Sequence, residues 1–306
     1  FNRTESLHKT LEEFQRLDLE RIRVQFVVIM NNCSDSTTEV LSRFKDLIPL
    51  IILKEPTPGK NRALNKALSS VELSELVVFC DDDISPCQNW LQEIAVASTR
   101  NPDKYIFGGR IIPRWPKNIT PTWAKHPFIL SMGFSHHDLG GKQIDYPSGS
   151  YPFGPNFWVR KSVFEGGRTY SESIGPKAAE RIMGSETSFL KQLELEGFKA
   201  RYIPDAIVEH RIKESDIYLP NFYKRAESYG KGRAHMSGVN YHNLLVDRPN
   251  TWKRRQVLKL IFVRCRCLLA KMIPIKVTRV RTLVNLHIEI GRISESFKLA
   301  KKFQKP

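Results

Sequence analysis

The feature that most constrains this chain is an alternation of short apolar runs with amphipathic stretches. "VQFVVIM" (24–30) reads as a buried strand, and the polar "NNCSDS" behind it leads into a helix, "TTEVLSRF". "LIILK" is a short strand, "EPTPGKN" a loop, and "NRALNKALSSV" a helix with Ala63, Leu64, Ala67 and Leu68 turned inward. "ELVVFC" is a third strand and "NWLQEIAVAST" a helix, while Leu7, Leu11, Phe14 and Leu17 mark one face of a helix at the start. Strand and helix in alternation predict a mostly parallel sheet with helices on both faces, an α/β fold that binds ligands beyond the carboxyl ends of its strands. From about 108 to 180 the chain becomes rich in Gly, Pro, His and aromatics, the texture of functional loops. Helical pattern resumes in "SETSFLKQLELEGF", followed by a strand in "KARYIPDAIVEHR".

Two polar clusters fall at strand ends: "NNCSDS", and the three aspartates in "FCDDDISPCQNW" (79–90). Adjacent carboxylates repel one another, and a divalent cation offsets that repulsion. Carboxylates two apart on extended chain point the same way, which pairs Asp81 with Asp83 and turns Asp82 elsewhere. The plainer alternative is an acidic turn before the next helix, which Ser85 is able to cap unaided.

Composition excludes several classes. Hydrophobic residues make up 41% and charged residues 26%, the balance of a globular chain rather than a disordered one. No run of about 18 apolar residues exists to span a bilayer, and Phe1 opens directly into a polar, helical segment rather than a signal peptide. The five scattered cysteines show no metal-type spacing and fit the reduced thiols of a cytosolic protein. The net charge of +16 is unevenly placed: residues 251–306 hold fifteen Lys/Arg against two Glu, or +13, which leaves +3 for the first 250. The basic character belongs to the tail, and no nucleic-acid reading motif accompanies it.

Taken in order, "FNRTESLHKTLEEF", "VVIMNNCSDSTTEVL", "PGKNRALNKAL", "VVFCDDDISPCQNWLQEI", "GGRIIP", "PFGPNFWVRKSVFEGGRTYSESIGP" and "GSETSFLKQLELEGFKARYIPDAIVEH" resemble a bacterial-type family 2 glycosyltransferase of the GT-A fold. The resemblance runs from residue 1 to about 215. It implies an inverting transfer of a sugar from a nucleotide-diphosphate donor to a glycan or lipid-linked acceptor, assisted by Mn²⁺ or Mg²⁺. It puts the family's D-x-D on Asp81 and Asp83, with Asp83 on the metal and Asp81 on the ribose, the metal or both. A His after a late strand often closes that metal site, and His210 stands there; by position alone it reads as a surface His. The family carries an acidic pair at a helix start. Here the pair is Glu186-Thr187, so the resemblance implies Glu186 as the base, with Thr187 a departure that leaves altered catalysis open. Read from position alone, Glu186 is a first-turn acid complementing a helix dipole.

The implied donor contacts take in Asn31, Asn32, Asp35, Lys60, Asn61, Asp81, Asp82, Gly154 and Asn156. "PGKN" would approach the nucleotide or its phosphates without being a P-loop. Asn31 or Asn32 replaces the acid that usually grips the nucleobase, and Asp35 either compensates or caps the following helix. Trp115, Trp123, His126, His136 and His137 lie where acceptors usually dock, or are simply packed. Phe1-Asn2-Arg3 matches only the end of the family's first strand, which predicts a longer natural gene product.

The expected division is a catalytic domain over 1–220, with a nucleotide half to about 107 and an acceptor and donor-sugar half from about 108, then a basic helical extension over 221–306. In the extension, Val257, Leu258, Ile261, Phe262, Cys265, Leu268, Leu269 and Met272 form one apolar face, with Lys259, Arg264, Arg266 and Lys271 on the other. Leu283, Leu286, Ile290, Ile293 and Phe297 form a second stripe. Basic amphipathic helices read as membrane-surface elements, here on the cytoplasmic face of the cell membrane, or as an ordinary helical pair packed on its own domain. The rival functions are a nucleotidyltransferase using the same aspartates and a non-catalytic basic binding protein.

Overall fold

A computed structural model of the chain describes residues 2–176, 181–237 and 249–302. The chain divides into two compact units that interleave in sequence: Phe1–Pro116, Phe134–Ser173 and Ser185–Ile212 form the first, and Lys117–Gly133, Ile174–Gly184 and Lys213–Pro306 the second.

The first unit holds the alternation. Helix α1 (Thr4–Phe14) buries Leu11 and Phe14; Leu17 also reaches the core, but from beyond the helix, which ends one turn before the periodic pattern does. Strand β1 (Phe26–Asn31) pairs in parallel with β2 (Leu50–Glu55), the two joined by α2 (Thr37–Phe44), as expected of a strand–helix–strand unit. Helix α3 (Lys60–Ser70) follows. The larger sheet runs in the order β3 (Leu76–Phe79), β7 (Phe157–Arg160), β5 (Ile106–Arg114), β10 (Ala200–Arg211), β4 (Ile84–Pro86), with β6 (Ile144–Asp145) against β10. Only β5 and β10 are parallel in it. Strand β7 inserts antiparallel between β3 and β5.

Helix α4 (Trp90–Arg100) packs on this sheet. Trp158 of β7 is fully buried, stacks on Phe107 at 5.4 Å and donates its indole N–H to Ser98 of α4 at 2.9 Å. Helix α6 (Ser185–Leu195) buries Phe189, Leu190 and Leu193 beneath Val159 and Tyr170. Strand β10 slips register between Ile203 and Ile207. Pro204 lies in that step and has no N–H to give a neighbouring strand.

The second unit is helical; it holds α5 (Pro127–Phe134) except for its last residue, and a small hairpin of β8 (Gly175–Pro176) and β9 (Arg181–Ile182). After the short α7 (Glu214–Ile217), the long α8 (Leu219–His235) packs against α10 (Lys276–Lys302), and α9 (Pro249–Ala270) packs on α10. Among the described residues no helix is long and apolar enough to cross a membrane, and all five cysteines are free thiols.

Candidate active site

The aspartates leave β3 and enter a strand that local pattern does not announce. Three residues, Ile84–Pro86, pair antiparallel with the far end of β10, so that Ile84 faces His210 and Ser85 faces Glu209. The Arg211 N–H donates to the Asp83 carbonyl at 2.8 Å. This register sets the Asp83 carboxylate beside His210, with Oδ1 at 3.4 Å from Nε2. The His210 Nδ1–H donates to the Phe134 carbonyl at 3.0 Å, which orients the ring and turns Nε2 toward Asp83. His210 is buried, not the surface residue its position suggested, and Asp83 is buried with it. The triplet does not cap a helix either. β4 separates it from α4, and Ser85 lies in β4, accepting from Arg211 at 2.8 Å.

Two cations hold the carboxylates. Arg3 forks across the triplet, with Nη1 on Asp82 at 2.5 Å and Nη2 on Asp83. Lys60 bridges Asp81 Oδ1 at 2.8 Å and Glu186 Oε1 at 2.6 Å. Burial opposes the charge on Lys60, yet Asp81 and Glu186 outweigh it and raise its pKa well above the usual range. Burial holds Asp82 above the usual carboxylate range despite Arg3. Asp83 shifts the other way: burial resists its ionisation, but His210 and Arg3 prevail and lower its pKa. In turn His210 is raised, burial being outweighed by Asp83. Four carboxylates against two fixed cations leave this cluster two negative charges before His210 is counted.

The remaining expected contacts take different places. Asn31 ends β1 and uses its amide on the "PTPGK" loop: Nδ2 donates to Glu55 O and Thr57 O, and Oδ1 accepts from Gly59 N at 2.8 Å. Asn32 is exposed at φ +54°, a conformation asparagine tolerates better than most residues. The Asp35 carboxylate accepts from the N–H and hydroxyl of both Thr4 and Thr37, tying together the starts of α1 and α2. Asn61 is buried; it donates to Ser171 O at 2.6 Å and accepts from Ser185, anchoring the start of α6 that carries Glu186. Asn156 is fully buried with its amide satisfied inside the fold: it donates to Arg110 O and Ala206 O and accepts from Trp90 Nε1. It shapes the loop presenting Gly154 rather than facing solvent. Gly154 lies against the base candidate; a Cβ there would sit 3.0 Å from Glu186 Oε1.

Whether the donor set suits a divalent cation turns on Asp83. Its Oδ1 is buried, accepts no hydrogen bond, and faces His210 Nε2. A buried carboxylate oxygen left without a hydrogen is costly, and a cation between it and the imidazole would satisfy both. Asp81 stands apart on Lys60, so the three expected ligands do not converge, and among the described residues no group of three or more His, Cys, Asp and Glu surrounds one point. Two protein donors still suit Mg²⁺ or Mn²⁺, which take one or two protein ligands and complete their shell with water and substrate phosphate.

Residues 1–167 match the family described as Glycosyl transferase family 2. The chain belongs to that family. Across 97% of its length it superposes on 85% of the mannosyltransferase PcManGT from Pyrobaculum calidifontis, in complex with GDP-Man and Mn²⁺, at a TM-score of 0.63 and 15% identity. It also superposes on S. aureus TarS 1–349 in complex with UDP-GlcNAc, covering 98% of this chain and 89% of that one at a TM-score of 0.52 and 12% identity. The fold is GT-A. A relative from Haloferax volcanii, a glucosyl-dolichyl phosphate glucuronosyltransferase, is 21% identical over 214 residues, 69% of this chain and 66% of that protein, so the chain spans just under two thirds of that relative's length.

In this family 2 chain, Arg3 and Arg211 are the site residues that sequence reasoning missed. Arg211 donates to Ile84 O, Ser85 Oγ, Ser6 O and Thr10 Oγ1, which pins α1 and β4 together around the aspartates. Neither carries a local signal; both lie far from the triplet in sequence, with Arg3 79 residues from Asp82. Of the acceptor-side aromatics and histidines, Trp123 is packed on Phe222 in the second unit, and His137 is buried in the first with Nε2 at 2.6 Å from Tyr146 Oη.

Proposed function

We propose that this protein is an inverting glycosyltransferase that moves a sugar from a nucleotide-diphosphate donor to a glycan or lipid-linked acceptor in surface polysaccharide biosynthesis. The observation that carries the reading is the buried Asp83 oxygen without a hydrogen-bond donor, facing the oriented His210 imidazole, at the strand ends where this fold receives ligands. Asp83 and His210 would hold Mn²⁺ or Mg²⁺, with Asp81 on the nucleotide side. The cation would supply Lewis-acid neutralisation of the leaving diphosphate.

The chain's own residues divide the rest. Lys60 offers a positive charge to phosphate, and in taking it would release Glu186, the carboxylate it now holds at 2.6 Å. Glu186 then removes the proton from the acceptor hydroxyl as that oxygen attacks the anomeric carbon; the bond to the diphosphate breaks on the opposite face, and the nucleoside diphosphate leaves. Asn61 and Gly154 position Glu186, one by anchoring its helix and the other by leaving it space. A lipid-linked acceptor suits the relative that acts on a dolichyl phosphate sugar, and the basic C-terminal helices suit a place on the cytoplasmic face of the cell membrane.

The test is a panel of nucleotide sugars with Mn²⁺, monitored for nucleoside diphosphate release. Turnover with at least one donor is expected. Asp83→Asn and Glu186→Gln should each lose about 10²–10⁴-fold in kcat while the chain still folds, at a lower melting temperature because each change leaves a buried cation without its partner. Pyrophosphate release would favour the nucleotidyltransferase instead, and full activity in either variant would remove that residue from its role.

A further inference from the structure

Helix α9 is apolar on two opposite sides. Leu260, Val263, Cys267 and Ala270 turn to α10, where they join Leu283, Leu286 and Ile293 in a packed cluster. At 3.6 residues per turn, Leu258, Ile261, Phe262, Cys265, Leu268 and Leu269 fall on the other side, about 180° away, and Met272 lies in the turn just past the helix. That second stripe is open to solvent: Phe262 is 62% exposed, Leu269 65% and Met272 78%. Such a run of large exposed apolar side chains on one helix marks an interaction surface. The second stripe foreseen in the sequence, on α10, is packed, with Leu283, Leu286 and Ile293 buried and Ile290 and Phe297 partly so, which leaves the open face of this helix pair on α9.

Charge selects the occupant. The span Pro249–Ala270 contains six Lys/Arg and no acid. Lys259 and Arg266 flank the open stripe on one side and Arg264 on the other, Lys271 follows in the turn past the helix, and all four are exposed. The Arg266 guanidinium lies over the Phe262 ring at 5.7 Å, which puts a positive charge at the border of the apolar stripe. A second copy of this face would bring like charges together, whereas an anionic lipid surface accepts both the stripe and its basic borders. Basic residues spaced along the helix rule out crossing the bilayer and suit a helix lying in its plane.

We infer that α9 is the membrane-inserting element of this protein, lying in the plane of an anionic bilayer with Leu258, Ile261, Phe262, Leu268, Leu269 and Met272 in the acyl boundary and Lys259, Arg264, Arg266 and Lys271 at the phosphates. The inference rests on the membrane location proposed above and narrows it to one helix and one face.

The experiment is co-sedimentation of the full chain with phosphatidylcholine vesicles, with and without phosphatidylserine. The wild-type chain binds the anionic vesicles only. Phe262→Glu with Leu269→Glu weakens that binding at least tenfold, and Lys259→Gln with Arg266→Gln weakens it about fivefold per residue and makes the remainder less salt-sensitive. Both variants keep the wild-type melting curve and nucleoside diphosphate release in solution, since the altered side chains are exposed. Wild-type binding that the Glu pair leaves intact would overturn the assignment to α9 and spare the membrane location. No wild-type binding to anionic vesicles would overturn both, and a wild-type dimer that the Glu pair splits would give the face to a second copy.

Discussion

At the scale of single residues, the site depends on buried amides that never meet a ligand. Asn156 satisfies two carbonyls and one indole N–H that would otherwise be orphaned in the core. Asn156→Ala should therefore cost about 2–4 kcal/mol, read from denaturant unfolding, because each unsatisfied buried group costs about 1–3 kcal/mol. Gly154 acts through space instead. A methyl at that position meets the Glu186 carboxylate, so Gly154→Ala should lower kcat about tenfold with little change in melting temperature. Equal losses of activity and stability would show that Gly154 serves the fold and not the carboxylate. Asn31, read in the sequence with Asn32 as the nucleobase contact, spends its amide on a loop, and Asp35, read as compensating there or as capping the following helix, binds the starts of α1 and α2.

At the scale of elements, close approach decides how the second unit packs. Helices α8 and α10 cross where Gly230 meets the Ile288 carbonyl and Gly291 meets the Glu227 carbonyl. Neither contact leaves room for a Cβ against backbone. Gly291→Leu should destabilise by about 1–3 kcal/mol or more, with thermal melting as the measure, whereas substitutions at exposed Leu268 on α9 should be nearly neutral for stability. The pairing of β4 with β10 is the corresponding device in the first unit. A three-residue strand has little stability of its own, and Arg211 reinforces it by joining α1 to both sides of the turn.

At the scale of the whole molecule, pH reaches the fold through His137. It is buried among Tyr146, Phe153 and Tyr202, and burial, with His136 nearby, pushes its pKa down from 6.5 to about 4. The unfolded chain takes up this proton as pH falls below about 6.5, while the folded chain refuses it until about 4. The stability that His137 contributes as a neutral side chain is thus complete above pH 6.5 and is lost between 6.5 and 4, up to about 3 kcal/mol. His137→Gln should flatten this part of the stability profile. Parallel profiles for the two proteins from pH 7 to pH 5 would refute it.

The sequence by itself determined the alternating α/β plan, the position of the acidic triplet at a strand end, and the concentration of positive charge in the tail. Those follow from hydrophobic period and charge count, which are local properties. Tertiary structure decided that Asp83 meets His210, 127 residues away, through a strand too short to show a period. It also decided that Arg3 and Lys60 share out the aspartates, and that of two similar apolar stripes in the tail one is buried and the other open. Pairing register and helix crossing are set by contacts between distant segments, and no local pattern encodes which of two equivalent faces will find a partner.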